Sequence, residues 1–150
     1  MAKIAVMAGT VYGATKRLAQ LSVTELQRLG HQAQLFYPAK LSEVLAYQAD
    51  HWLVMTSTTG QGDIPDDLVP FYSQVNQQFP LLTGKSWAVV VLGDSSYYDT
   101  YCGAGEHWHA LLSQLQGTEL AAMLRIDAGE TLQPETVALP WLQQYYAGLR

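Results

Sequence analysis

An open, doubly wound parallel α/β sheet of five strands is the fold this chain predicts. Short apolar runs alternate with segments of helical periodicity along all 150 residues. The apolar runs carry hydrophobic side chains at successive positions, so each strand is buried on both faces, as in a sheet covered by helices on either side. Right-handed crossovers then bring every strand-to-helix loop to the same edge. Three of those loops are built from glycine, hydroxyl and aromatic residues.

The elements follow in order. Ile4–Ala8 is an apolar strand that ends at Gly9. Thr15–Leu29 places Leu18, Ser22, Leu26 and Leu29 on one helical face, and Gly30 supplies a stop. Gln32–Tyr37 alternates as a second strand, and Leu41–Tyr47 is a short helix. Trp52–Met55 is the third strand. Pro65–Phe79 reads as a helix, with proline where a missing N–H costs little. Trp87–Leu92 is the fourth strand and Gly105–Leu115 the next helix. Leu120–Ile126 is the fifth strand and Glu135–Leu149 the last helix. No linker, repeat or low-complexity segment divides the chain, so one domain over 1–150 is expected.

Composition narrows the function. A net charge of -5 and only 14% charged residues disfavour nucleic acid, whose phosphates need clustered Lys and Arg. The single cysteine, Cys102, allows no internal disulfide, which suits a reducing compartment. The first apolar run is too short for a signal peptide and no run reaches membrane-span length. A monomeric cytoplasmic protein is expected. His107 and His109, two apart, do not share a helix face, so they make no metal pair. His31 and His51 read as surface residues, and Trp52, Trp87, Trp108 and Trp141 as packing residues.

The three loops point to one ligand. Thr10-Val11-Tyr12-Gly13-Ala14-Thr15 offers hydroxyls and backbone N–H groups just before a helix, a seat for an anion. It has neither the GxxxxGK pattern of triphosphate loops nor the GxGxxG of dinucleotide turns. An ordinary turn capped by Thr15 is the bland alternative. The loop from Thr56 to Asp63 is dense in small residues, including Ser57, Thr58, Thr59 and Gly60, and the glycine leaves the Gly60–Gln61 peptide free to turn. Leu92-Gly93-Asp94-Ser95-Ser96-Tyr97-Tyr98-Asp99-Thr100-Tyr101-Cys102 empties a buried strand into small polar residues and tyrosines, which suit a planar ring. In open α/β sheets, ligands lie at this carboxyl edge.

In these three motifs the chain resembles the flavodoxins. Thr10-Val11-Tyr12-Gly13-Ala14-Thr15 is similar to that family's phosphate loop, with Tyr12 where threonine is usual. Thr56–Pro65 and Gly93–Gly103 are similar to its two flavin-ring loops. The resemblance covers the whole chain and is nearest to the short-chain, bacterial YqcA-type branch related to MioC. It implies a flavodoxin-like sheet of strand order 2-1-3-4-5 and bound FMN. Thr10, Val11, Tyr12, Gly13, Ala14 and Thr15 would surround the 5′-phosphate. Ser57, Thr58, Thr59 and Gly60 would line one face and the N5 edge of the ring system. Tyr97 would stack on the other face, with Leu92, Gly93, Asp94 and Cys102 at the pyrimidine edge and Tyr101 on the rim. Many flavodoxins carry an aromatic residue where Thr59 stands, so a stack on one side only is implied.

The implied function is a low-potential electron carrier that shuttles single electrons between a reductase and an acceptor enzyme. Basic-faced partners would dock near Asp63, Asp66, Asp67 and Asp99. A small FMN-dependent NAD(P)H:quinone-type reductase is the alternative, though such enzymes carry insertions for which 150 residues leave no space. A phosphorylated receiver domain would need an aspartate where Met55 and Thr56 stand.

Overall fold

The computed structural model describes residues 1–97 and 100–150. Its strands are β1 (Lys3–Gly9), β2 (Gln32–Phe36), β3 (His51–Ser57), β4 (Ser86–Gly93), β5 (Thr118–Glu119) and β6 (Leu124–Asp127). Its helices are α1 (Ala14–Arg28), α2 (Leu41–Tyr47), α3 (Val69–Gln78), α4 (Gly103–Leu112) and α5 (Glu135–Tyr146). All pairings are parallel, in the order β2-β1-β3-β4-β5, with β6 also on β4. The expected sheet, of flavodoxin-like order 2-1-3-4-5, is therefore present.

Strand parity sorts the core into two halves. Ala5, Met7, Trp52, Val54, Trp87 and Val89 face α2, α3 and α4, where Phe71, Val75, Trp108 and Leu111 meet them. Ile4, Val6, Leu53, Met55, Ala88 and Val90 face α1 and α5, where Leu18, Leu26, Leu142 and Tyr146 meet them. The four tryptophans are all buried. β1, β3 and β4 are thus apolar on both faces, as the sequence implies, while the edge strands β2 and β5 are not.

Several expected boundaries move. The fifth strand is not continuous over Leu120–Ile126: β5 pairs with Ser86–Trp87 and β6 with Val90–Gly93, so two short strands share one edge position. Between them Ala121 packs into the α1/α5 core while Met123 packs into the opposite one. Residues two apart on a strand must share a face, so the ladder breaks there. Helix α3 begins at Val69, four residues after Pro65, because Pro65–Leu68 forms its own turn with Leu68 N–H donating to Pro65 O at 2.9 Å. Pro70 then falls in the first helical turn, where its missing N–H is tolerated. Helix α1 is not capped by Thr15: Gly13 stands at its N-cap with φ 94°, a left-handed conformation open to glycine.

The expectation that His31 and His51 are surface residues fails. Both are buried, His51 at 0% exposure. His31 Nδ1 accepts the Ala2 amide at 2.9 Å, so its proton is on Nε2, which donates to the Tyr146 carbonyl at 2.6 Å. His51 bonds Ser86 Oγ and the Tyr146 hydroxyl, each at 2.7 Å. The cluster fastens α5 to the amino edge of the sheet, opposite the three loops.

Candidate functional site

The ends of β1, β3 and β4 surround a cavity of about 740 Å³. Val11, Tyr12 and Ala14 of the first loop line it, with Ser57, Thr58, Thr59, Gly60, Gln61, Asp63, Ile64 and Asp66 of the second. Leu92, Gly93, Asp94, Tyr97, Thr100, Tyr101 and Cys102 complete the third side. Ala128, after β6, adds a fourth contribution that the sequence reading missed. Thr10, Gly13 and Thr15 do not line the cavity; they organise the first loop from behind. Tyr98 and Asp99 lie outside the described residues.

Local hydrogen bonds fix each loop. Thr10 Oγ1 accepts the Gly13 amide at 2.8 Å and bends the first loop into the start of α1. The N–H groups of Ala14, Thr15 and Lys16 have no intrahelical acceptor and stand at the positive end of the helix dipole. Buried Thr15 shares a hydrogen bond with Ser57 Oγ at 2.5 Å, tying the first loop to the second. Within the second loop, Thr59 donates its amide to Asp63 O at 3.0 Å, and Asp63 returns its amide to Thr59 Oγ1 at 2.9 Å. The Thr59 hydroxyl is thereby folded back on its own loop. The Gly60 carbonyl accepts from Thr100 Oγ1 at 3.0 Å, so loops two and three are tied as well.

The third loop depends on a close approach. A Cβ on Gly93 would stand 2.9 Å from both the backbone nitrogen and Sγ of Cys102, so only glycine lets these segments meet undisturbed. Asp94 spends its carboxylate on Ser96, accepting the amide at 2.9 Å and the hydroxyl at 2.7 Å. Its carbonyl accepts the Tyr97 amide at 2.9 Å. The Tyr97 ring is 55% exposed and faces the Gly60 α-carbon across the mouth. Burial pushes the Cys102 thiol up, and burial with the neighbouring Cys102 pushes Tyr101 up to about 12. Both side chains are therefore neutral at physiological pH, and Cys102 is no thiolate nucleophile.

Two further residues act here in roles that the sequence reading did not give them. Asp127, at the end of β6, accepts the amides of Ser95 at 3.0 Å and Gly129 at 2.8 Å. The Ser95 hydroxyl first, then the Ser95 and Gly129 amides, hold its carboxyl below the usual range. The Asp-Ala-Gly run at a strand end is a turn signal that could have drawn notice. Asp67 is turned inward, against Thr10 and Tyr37, rather than outward with Asp66. No Lys, Arg or His is among the described residues that line the cavity, while Asp63, Asp66 and Asp94 do.

Comparison with known proteins decides the family. The Flavodoxin family profile matches residues 6–141. The chain belongs to the flavodoxin family. This flavodoxin is 39% identical to flavodoxin YqcA of Escherichia coli K12 over 145 residues, 97% of each chain. A cysteine-to-serine variant of the Pseudomonas aeruginosa flavodoxin superposes with a TM-score of 0.91 at 41% identity, covering 97% of this chain and 96% of that one. A Fusobacterium nucleatum flavodoxin bound to flavin mononucleotide shares the fold, with a TM-score of 0.78 at 13% identity and 100% of each chain covered. Flavodoxins are flavin-binding electron carriers rather than enzymes, and this chain has the electron-carrier function of its family. Among the described residues, no helix is long and apolar enough to cross a membrane, and no His/Cys/Asp/Glu group could hold a metal ion.

Proposed function

We propose that this flavodoxin binds FMN in the cavity at the carboxyl edge and carries electrons between a basic-faced reductase and an acceptor enzyme. The observation that carries the reading is Thr58 Oγ1: it is buried on the cavity wall with no hydrogen-bond partner among the described residues. A buried hydroxyl left unpaired costs about 1–3 kcal/mol, and a polar ligand edge removes that cost. The remaining features fit the same nucleotide. The volume lies within the ~300–1,000 Å³ of small-molecule sites. Free amides at the start of α1 suit a phosphate, and Gly93 opens a cradle that a Cβ would fill.

Bound FMN supplies a ring system that takes up and releases electrons singly or in pairs. The chain orients and tunes it. Val11, Tyr12 and Ala14, with the amides of Thr15 and Lys16, receive the phosphate, and Thr10 and Gly13 set the bend. Ser57, Thr58, Thr59 and Gly60 line one face, Tyr97 stacks on the other, and Leu92, Gly93, Asp94, Tyr101 and Cys102 enclose the pyrimidine edge. With Thr59 tied to Asp63, Tyr97 is the only aromatic stacking partner we assign. Asp63 and Asp66 stand on the cavity rim, where their charge raises the energy of added negative charge and so lowers the reduction potential. The same pair steers a cationic partner to the exposed ring edge. Asp67 is already paired inside the protein and is left out of the docking face.

Titration of the purified chain with FMN, followed by flavin fluorescence and visible absorbance, tests the reading. Stoichiometric quenching is expected, together with reductase-driven reduction that slows as salt is raised. Binding of no flavin would overturn it. Fast quinone turnover with NAD(P)H alone would favour the reductase alternative instead.

A further inference from the structure

A carboxylate stands against the loop we assign to phosphate, although an anion there repels the ligand. The Thr10 amide, first in that loop, donates to both oxygens of Asp67, at 2.9 and 3.2 Å. The Tyr37 hydroxyl donates to Oδ2 at 2.5 Å. The Lys16 ammonium lies 4.8 Å above the Tyr37 ring, placing a positive charge beside this hydrogen-bonded pair. The seat depends on Gly9, since a Cβ there would stand 2.5 Å from Leu68 Cβ, and the Asp67–Leu68 segment could not lie so close to the end of β1. Asp67 therefore holds Thr10 directly, with Tyr37 and Gly9 setting the place of Asp67, and none of these three residues is among those that line the cavity.

Thr10 is held twice. Its amide is fixed by Asp67, and its hydroxyl receives the Gly13 amide at 2.8 Å, in the bend where Gly13 adopts φ 94°. With Thr10 anchored, the loop keeps its bend and the amides ahead of α1 point together before any ligand arrives. Lost ordering entropy is a main cost of binding, so a loop bent in advance binds more tightly. We propose that Asp67 and Tyr37 are positioning residues that set the preference of this flavodoxin for the phosphorylated flavin over riboflavin. The inference rests on the FMN reading above. It confines the effect to the phosphate end, because the side-chain hydrogen bonds of both residues run to Thr10 and to each other, and not to the loops assigned to the ring.

The test is titration of the full chain with FMN and, separately, with riboflavin, read by quenching of flavin fluorescence. Asp67→Ala is expected to weaken FMN binding about tenfold, the loss of one charge-assisted hydrogen bond, while riboflavin binding changes less than about twofold. Tyr37→Phe keeps the Thr10–Asp67 bond and should lower the FMN preference about threefold. It also serves if Asp67→Ala does not fold, as judged by circular dichroism. Equal losses for FMN and riboflavin would mean a general structural role and overturn the proposal. Unchanged or tighter FMN binding in both variants would overturn it too, since repulsion would then outweigh positioning. Wild-type chain that binds neither flavin would instead overturn the FMN reading itself.

Discussion

At the scale of single residues, the two glycines nearest the proposed ring site differ in what they permit. Gly93 has no room for a side chain, because a Cβ would meet the Cys102 backbone nitrogen at 2.9 Å. Gly60 has room, because the nearest atom to its Cβ position is Tyr97 Cε1 at 3.5 Å, an ordinary contact. Gly93→Ala is therefore expected to lower stability by about 1–3 kcal/mol and to weaken FMN binding. Gly60→Ala should change stability by less than about 0.5 kcal/mol. Urea unfolding of both variants beside the wild type measures the contrast. A Gly93→Ala protein as stable as wild type would show that the β4–α4 approach has slack.

At the scale of elements, the loop after β4 is held from outside its own sequence. Asp127 reaches it from the end of β6 through the Ser95 amide, and the Ala128 amide donates to Gly93 O at 2.8 Å. The folded protein holds the Asp127 carboxyl below its ordinary range, so the carboxylate form is the one that pins the loop. That contribution is complete above about pH 4, the ordinary carboxyl range. It is lost as pH falls through the lowered folded value. Asp127→Ala should speed hydrogen exchange at the Ser95 and Gly129 amides at neutral pH. The wild type should approach the variant only in acid. Equal protection at neutral pH would show that backbone pairing alone suffices.

At the scale of the whole molecule, the edge opposite the ligand carries the strongest pH linkage. Burial, with His31 nearby, lowers the pKa of His51 to about 3, against an ordinary value of 6.5. The unfolded chain therefore binds a proton near pH 6.5 that the folded chain refuses until near pH 3. Stability is full above pH 6.5 and falls through that window, by on the order of several kcal/mol. Tyr146→Phe should cost about 1–3 kcal/mol at neutral pH by leaving one His51 nitrogen unpaired. His51→Asn should flatten the loss of stability between pH 6.5 and 3. Urea midpoints across that range measure both, and an unchanged slope in His51→Asn would assign the acid sensitivity elsewhere.

The alternating elements, the double burial of the central strands and the three loops that meet at one edge are legible in the amino-acid order alone. These signals are local: apolar runs, helical spacing, and glycine and hydroxyl residues at strand ends, each set by a few neighbouring residues. Tertiary structure decided the partnerships. Tyr37 and Asp67 are 30 residues apart, Ser95 and Asp127 are 32, and His51 and Tyr146 are 95. No local pattern marks such pairs. That is why two histidines expected at the surface are buried, and why Asp67 braces the first loop rather than joining Asp66 outside. It is also why the last strand breaks, since Ala121 and Met123 answer to opposite halves of the core. Local preference sets which elements form; the pairing of buried polar groups across distant segments sets how the site is held.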